Sequence, residues 1–528
     1  MTSVQQYPHL VIAGAEPWGH TRPICAFAAK VVLLRDIHVT FFTIPRILDR
    51  VKNEVDRGFR PEDAERRKLI RIFAVDCSIE EPMDIIDKIR AEQTRYFEQF
   101  ITMYKQLLNQ GPVTCAVTKA TFESVPAPKI LVIDFINGPL AKMVHSLPNN
   151  HAKVVGFCSG MASFQYLWLA PANRGGRGDL KADILREAER SGRPVVDVAD
   201  DMVHAFTDEV VQMPGLPKMY HWEFDPQECL FVTKGFVGGM WMSFFETYEE
   251  CDGLILTTPE AYEPAAVAAT KEWFADTKRD VWAIGPLFPS LSSQEAIAGE
   301  TAQSKDSGEI KIFMDDVLAR HGQHSMIYIS FGSVFWTSEL NKLEAFIDVI
   351  IERNIPFILS HGSPLAQLTD TFKAKVEQSG LGLLSAWSPQ QTILAHPALG
   401  WFVSHCGHNS ALEAVSSGTP VICWPFHADQ PANAINLTEI HDVAYELLEV
   451  RTGNELKPIY RTGKAVAGTL DAIRAEAREV LEKAFGEDGA RKRANVEKLL
   501  DNVHAAWNPD GPATQDMISF LDNCTGQP

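Results

Sequence analysis

Three observations predict an α/β protein of two domains, each built on a parallel sheet. Short apolar runs of strand length alternate with amphipathic runs of helix length along most of the chain. The alternation occurs on both sides of a small, polar stretch at 290–309 (SLSSQEAIAGETAQSKDSGE) that has the composition of a linker. The 528 residues are enough for two large domains with separate cores.

In chain order, His9-Leu10-Val11-Ile12-Ala13 reads as a buried strand ending at Gly14. The loop 16–23 then opens a helix, with Thr21 as its cap and Pro23 in its first turn, and 38–42 is the second strand. Strand, loop, helix, strand makes a Rossmann-like half, in which ligands sit beyond the strand C-termini. Residues 46–66 are charged and read as loop. A long amphipathic helix is expected over 82–108, with Ile86, Ile89, Phe97, Phe100, Tyr104 and Leu107 near helical spacing. Runs 129–134 and 153–157 are further buried strands, with Asp134 at the C-terminal edge of the first. From about 160 to 250 the chain is less regular and rich in Trp, Met, Phe, Gly and Pro; strands at 253–256 and 281–286 close the half. Past the linker, 326–331 is a strand running into Gly332-Ser333, 338–352 a helix, and 356–359 and 381–384 strands. Val496, Leu499, Leu500, Val503 and Trp507 form a helical stripe near the end. The expected boundaries are 1–289, the linker 290–309, 310–488, and helices over 489–528.

Charge and composition narrow the partners. A formal net charge of −19 argues against nucleic acid or an anionic membrane, because both require a basic surface. Nine cysteines, an odd count without a C-x-x-C pair, read as reduced thiols of a cytoplasmic protein. The opening MTSVQQYPHLVIAG has neither the basic nor the separate apolar region of a signal peptide. No apolar run approaches the roughly 20 residues of a membrane span, so no transmembrane anchor is expected.

The chemistry concentrates in 387–430, WSPQQTILAHPALGWFVSHCGHNSALEAVSSGTPVICWPFHADQ. A strand, a Gly-containing turn and a helix start aim backbone N–H groups at a phosphate. Here the turn adds His405, Asn409 and Ser410 as side-chain donors. Glu413, one helical turn beyond Asn409, is placed to accept the hydroxyls of a ribose. Together these residue types describe a nucleoside diphosphate site. A G-x-G-x-x-G does not follow the first strand, which weighs against a nicotinamide dinucleotide.

This stretch resembles the signature box of the family 1 UDP-sugar glycosyltransferases. Trp387, Pro389-Gln390, His396, His405-Cys406-Gly407, Asn409-Ser410, Glu413, Gly418-Thr419-Pro420, Pro425 and Asp429-Gln430 stand in one register. The resemblance extends to the Gly19-His20 loop, the strand-end Asp134, the 284–287 strand and the Ser330–Ser333 loop. It implies the GT-B fold: two facing Rossmann-like domains with parallel sheets, and a C-terminal helix crossing back to the first. It implies inverting transfer of a sugar from a UDP-sugar co-substrate to a small hydrophobic acceptor, with no other cofactor. His20 is the candidate general base, and Asp134 the group that fixes its tautomer and stabilises the imidazolium, as in serine hydrolases. Trp387 is expected on uracil, Ser388 and Gln390 near base or ribose, and Glu413 on the ribose. Ser333, His405, Asn409, Ser410 and the Gly407 helix start are expected to hold the diphosphate without metal, since the chain has no D-x-D triplet. His408, Asp429 and Gln430 face the sugar. His408 stands where His goes with galactose donors, while Gln at position 430 goes with glucose; Gln430, with a donor and an acceptor in one side chain, carries the expectation of UDP-glucose. Trp18, Phe135 and Ser159 are expected to line the acceptor pocket. His396 and Cys406 are read as structural. Two rivals share the fold: a nucleotide-sugar epimerase or hydrolase, and a non-catalytic UDP-sugar binder.

Overall fold

The computed structural model describes residues 7–81, 83–203, 207–228, 235–287 and 307–526. The chain divides into two compact units: Met1–Ala205 with Val232–Pro289 and Ala506–Pro528, and Phe206–Phe231 with Ser290–Ala505.

The first unit is built on a seven-stranded, wholly parallel sheet. Its strands are β1 (His9–Ala13), β2 (His38–Thr43), β3 (Ile70–Ala74), β4 (Ile130–Asp134), β5 (Lys153–Cys158), β6 (Gly253–Leu256) and β7 (Asp280–Ala283), in the order β7-β6-β5-β4-β1-β2-β3. β1, β3, β4 and β6 are buried throughout, as expected for strands covered on both faces by crossover helices. The second unit has a six-stranded parallel sheet. Its strands are β8 (Met326–Ser330), β9 (Phe357–Ser360), β10 (Gly382–Ser385), β11 (Leu399–Ser404), β12 (Val421–Cys423) and β13 (Ala444–Glu446), in the order β10-β9-β8-β11-β12-β13. Each order steps outward from a central strand and then reverses, which is doubly wound topology. The reversal falls between β1 and β4 in one unit and between β8 and β11 in the other. Ligands of such sheets bind beyond the strand ends at that reversal.

Several elements differ from the sequence reading. Strand β3 was not foreseen, because Arg71 interrupts its apolar run. Arg71 is buried and donates to Thr40 Oγ1 at 2.7 Å and to the Glu123 carbonyl at 2.7 Å, which offsets part of the cost of burying its charge. The charged stretch 46–66 is helical, with Leu48–Asp56 burying Leu48, Val51 and Val55. The helix Trp18–Leu34 starts earlier than expected and has Pro17 as its cap residue. Thr21 therefore lies inside it, donating its hydroxyl to the Ala15 carbonyl, and Pro23 lies in the second turn. The long helix spans Ile85–Leu108; Pro82 lies outside the described residues. Among the described residues, the irregular 160–250 stretch holds four α-helices, Ala162–Leu169, Leu180–Ser191, Val195–Val203 and Phe236–Glu250. Of the linker, 290–306 lies outside the described residues, and 307–309 begins the helix Ser307–His321. The stripe Val496, Leu499 and Val503 is buried in the second unit, on helix Glu487–Ala505. Membership of the first unit resumes only at Ala506, where Trp507 Nε1 donates to the Pro286 carbonyl at 2.9 Å. Phe520 of the last helix, Pro512–Thr525, packs on Trp282 and Phe27 at centroid distances of 5.2 and 5.7 Å. No helix among the described residues is long and apolar enough to cross a membrane.

The start of β1 sets an acid limit on stability. His9 is buried, with Nδ1 2.8 Å from the Pro126 carbonyl and Nε2 2.7 Å from Thr40 Oγ1. Burial first, and then the neighbouring Arg71 charge, push its pKa from 6.5 to about 3. The unfolded chain protonates His9 below its ordinary pKa and the folded chain does not. Its contribution is therefore intact above pH 6.5 and falls as pH drops towards 3. His9→Asn is expected to flatten that acid-side decline in a melting-temperature series from pH 7 to 4; an unchanged slope would remove His9 as its cause.

Candidate active site

His20 is the third residue of helix Trp18–Leu34, delivered by the loop that follows β1, and Asp134 is the last residue of β4. They stand beyond the end of β1 and at the end of β4, the two strands at which the first sheet reverses. His20 Nδ1 is 3.1 Å from Asp134 Oδ1, the imidazole partly exposed and the carboxylate fully buried. The same Oδ1 accepts from Ile136 N at 3.0 Å, so Asp134 also caps the 3-10 turn Phe135–Asn137. Asn137 Nδ2 donates to the Gly14 carbonyl at 3.2 Å and ties this turn to the end of β1. Asp134 Oδ2 is buried with no hydrogen bond, so the carboxylate directs its charge at few groups, His20 among them. The His20 ring stacks on Phe135 at 5.0 Å and 10°. Aromatics continue from there: Phe135 on Phe244 at 4.6 Å, Phe244 on Trp241 at 5.3 Å, and Trp241 on Trp168 at 4.8 Å. Phe135 thus braces the imidazole. Ser159, beyond the end of β5, is buried, and its hydroxyl has no hydrogen-bond partner; the same holds for Ser163 Oγ and Gln165 Oε1. Trp18 has the Arg50 guanidinium 3.6 Å from its ring centroid, so one indole face is already covered.

In the second unit, the loops after β8 and β11 meet at the other reversal. Gly332 has φ of +77°, and a Cβ there would stand 2.9 Å from His405 Cε1 and Nε2. A Cβ on Gly407 would stand 2.5 Å from His405 Nε2. The His405 ring therefore lies between two glycines, one on each loop. Burial pushes its pKa down to about 4, so at neutral pH it is an uncharged N–H donor. Cys406 adopts φ of +66°, a left-handed turn unusual for its residue type, with its N–H held by Ser404 Oγ at 3.0 Å. Beyond Gly407 the helix His408–Ser416 begins, and the amides of a first helical turn have no carbonyl of their own helix to donate to. Ser333, Asn409 and Ser410 are half-buried around this start.

The Glu413 carboxylate is buried and held from both sides: Gln390 Nε2 donates to Oε2 at 2.5 Å and Gln391 Nε2 to Oε1 at 3.0 Å. Gln390 also reaches Ser410 Oγ at 3.3 Å, so it organises the acid rather than standing apart from it. Trp387, past the end of β10, is 37% exposed, enough to offer a ring face to a base. The Ser388 hydroxyl is buried without a hydrogen-bond partner. His396 bonds Asp315 Oδ1 at 3.3 Å and the Ala398 amide at 3.2 Å, an anchoring role.

The stretch 425–430 carries Asp429 and Gln430. Gln430 is buried, and its Oε1 accepts from Phe426 N at 2.9 Å and His427 N at 3.2 Å. This corrects the expectation that it turns both an acceptor and a donor to a sugar: the acceptor serves its own loop, and the amide donors remain. His408 is buried with Nδ1 3.4 Å from Asn433 Oδ1, and Asn433 Nδ2 donates to the Asp429 carbonyl at 3.1 Å. His408 thereby acts on Asp429 through Asn433. Among the described residues, no group of three or more His, Cys, Asp or Glu is placed to hold a metal ion.

The family profile described as UDP-glucoronosyl and UDP-glucosyl transferase matches residues 236–452. The chain is 29% identical to the UDP-glycosyltransferase eriJ of Hericium erinaceus, across 98% of this chain and 99% of that one. It is 29% identical to UDP-glucose flavonoid 3-O-glucosyltransferase 6 of Fragaria ananassa, across 54% of this chain and 57% of that one. Phytolacca americana UGT2, solved with UDP-2-fluoro-glucose and pterostilbene, shares the fold with a TM-score of 0.66 at 18% identity, over 98% of this chain and 99% of that one. The chain carries a UDP-glucoronosyl and UDP-glucosyl transferase domain and is similar along nearly its whole length to UDP-glycosyltransferases. The two sheets are those of a GT-B glycosyltransferase.

Sequence reasoning about this UDP-glycosyltransferase missed Gln391 and Asn433. Both act on another side chain or on backbone, and such residues leave no periodic signal. Glu413→Ala would strand the Gln390 and Gln391 amides and remove a charged acceptor. Charge-assisted bonds are worth roughly 1.5 to 3 kcal/mol, so UDP affinity is expected to fall about tenfold or more. Equal affinity by calorimetry for variant and wild type would remove Glu413 from the nucleotide site.

Proposed function

We propose that the enzyme transfers glucose from UDP-glucose to a hydroxyl of a small hydrophobic acceptor, with inversion and without a metal ion. The observation that carries this reading is the His20–Asp134 contact at 3.1 Å beside a series of stacked aromatic rings. With Asp134 at Nδ1, the proton-accepting role falls to Nε2. The acceptor hydroxyl gives its proton to Nε2 as its oxygen bonds the anomeric carbon; the bond from that carbon to the diphosphate breaks, and its electron pair leaves with UDP. One displacement from the face opposite the leaving group inverts the anomeric centre. Charge gathering on the diphosphate meets the neutral His405 N–H, Asn409, Ser410, Ser333 and the helix start at Gly407, a preorganised donor set. Trp387 stacks on uracil, Glu413 takes the ribose, and Asp429 and the Gln430 amide take the sugar.

The aromatic series favours a flat acceptor. The buried polar atoms of Ser159, Ser163 and Gln165 favour one with polar substituents besides the attacked hydroxyl. Phenolic and flavonoid-like compounds meet both demands better than terpenoids or sterols. The strawberry relative is named for flavonoids and the Phytolacca americana structure contains a stilbene. A UDP-release screen crossing UDP-glucose, UDP-galactose and UDP-glucuronate with such acceptors tests the reading, with anomeric configuration read by NMR and a chelator arm. Acceptor-dependent release with UDP-glucose, a β-glucoside product and full activity in chelator are expected. Release that ignores the acceptor would make the protein a hydrolase, and metal-reversible loss in chelator would overturn the metal-free account.

A further inference from the structure

The loop 424–429 joins β12 to helix Gln430–Ile435 and has no strand or helix of its own. It contains Ala428 at φ of +62°, a conformation that costs a residue with a side chain and persists only where the surroundings hold it. Part of that hold is local, through Gln430 Oε1. The rest comes from about 200 residues upstream in sequence. The stretch Phe206–Phe231 is counted with the second unit although it precedes the linker. From it Asp225 forms an ion pair with His427 Nδ1, both side chains largely buried. Two residues on, Gln227 Nε2 donates to the Pro425 carbonyl at 2.7 Å in a buried contact.

The stretch is itself fixed on both sides of this pair. Glu223 Oε1 accepts the amides of Tyr220 and Tyr460, each at 2.9 Å, and the Glu228 amide donates to Thr452 Oγ1 at 2.7 Å. The Tyr220 and Tyr460 rings pack edge-on at 5.1 Å. Asp225 and Gln227 therefore project from an anchored scaffold onto a loop with a left-handed residue in its middle. Their contacts fall at Pro425 and His427, and the two sugar-facing side chains follow at 429 and 430.

We propose that Asp225 and Gln227 are positioning residues for the donor sugar: they set the path of 425–428 and so the placement of Asp429 and the Gln430 amide. This rests on the reading that Asp429 and Gln430 hold the sugar. The hydrogen bonds of Asp225 and Gln227 go to His427 and Pro425 and not to Trp387, Glu413 or the 405–410 turn, so their effect is expected on the part of the donor that UDP lacks.

The experiment measures KM for UDP-glucose, calorimetric affinity for UDP, and melting temperature in Asp225→Asn, Gln227→Ala, His427→Ala and the Asp225→Asn/His427→Ala pair. A misplacement of about 1 Å costs up to about a hundredfold in such sites, so Asp225→Asn is expected to raise KM for UDP-glucose about tenfold or more. UDP affinity should stay at the wild-type value. The double variant should be no worse than its worse single member, since both remove one ion pair. Gln227→Ala, which deletes a single hydrogen bond, carries the same expectation at smaller size and keeps the test open if Asp225→Asn does not fold. An Asp225→His/His427→Asp exchange should restore part of the donor KM. A KM unchanged while only the melting temperature falls, or a raised KM accompanied by an equal loss of UDP affinity, would overturn the proposal. Absence of any transfer by the wild-type enzyme would instead sink the reading of the site, whereas wild-type transfer with an unaltered variant KM sinks the positioning role alone.

Discussion

Replacing His20 with alanine is expected to lower the turnover number by about 10² to 10⁴-fold, the usual range for a general base. UDP affinity should be untouched, because the proposed uridine, ribose and diphosphate contacts come from Ser333 and 387–413 of the second unit, whereas His20 belongs to the first. The imidazole is set for the task by three constraints, two of them linked because Asp134 also caps the turn that carries Phe135. The helix Trp18–Leu34 fixes its backbone, Asp134 Oδ1 at 3.1 Å fixes the tautomer, and Phe135 fixes the ring plane by stacking at 10°. Asp134→Asn keeps the shape but gives up the charge that stabilises the imidazolium, and it presents an amide where a carboxylate accepted. A smaller fall in turnover is expected there, with some loss of stability because the Ile136 amide loses a charged cap. Single-turnover rates with saturating UDP-glucose measure both variants free of product release. A His20→Ala enzyme at the wild-type rate would take the imidazole out of the reaction.

The pattern of what could be read from sequence has a physical origin. β1, β4, β8 and β12 are covered on both faces, so each leaves a continuous apolar run that survives without context. β3 is equally buried, but it accommodates Arg71 through Thr40 and the Glu123 carbonyl, partners that sequence does not reveal. The proposed diphosphate residues His405, Gly407, Asn409 and Ser410 were legible because one turn and one helix start supply them within a dozen positions, where spacing fixes geometry. His20 and Asp134 are 114 residues apart, and family context rather than periodicity paired them. Asp225 and Gln227 carried no signal: their partners lie 202 and 198 residues away, and nothing local marks a stretch of the first half as packing with the second unit. Gln430 was legible as a candidate and illegible in detail, because its acceptor oxygen closes a loop whose path only the fold determines.

Gly407→Ala is expected to weaken UDP binding about a hundredfold, through loss of two or more charge-assisted bonds to the diphosphate. The added methyl has no backbone penalty to explain such a loss, since Gly407 has φ of −56°, an ordinary value for any residue. The cause is steric. The new Cβ would stand 2.5 Å from His405 Nε2, and real contacts do not come so close, so one partner must move. The ring cannot retreat towards the β8 loop, where Gly332 already approaches so closely that a Cβ would lie 2.9 Å from it. Nor can it swing outward without leaving its buried place among Phe335 and the strand ends. The helix start at His408 must therefore shift, and the N–H groups aimed at the phosphates shift with it. Gly332→Ala offers a contrast: it meets the same ring but also forces a side chain onto φ of +77°, adding roughly 1–2 kcal/mol of backbone strain that should appear as lower thermal stability. The decisive comparison is a double-mutant cycle with His405→Ala. Once the ring is gone, Gly407→Ala should cost little further UDP affinity, giving a coupling close to the whole single-variant effect. Additive losses in that cycle, or a Gly407→Ala enzyme that binds UDP like the wild type, would mean that the His405 ring is not what holds the phosphate turn in register.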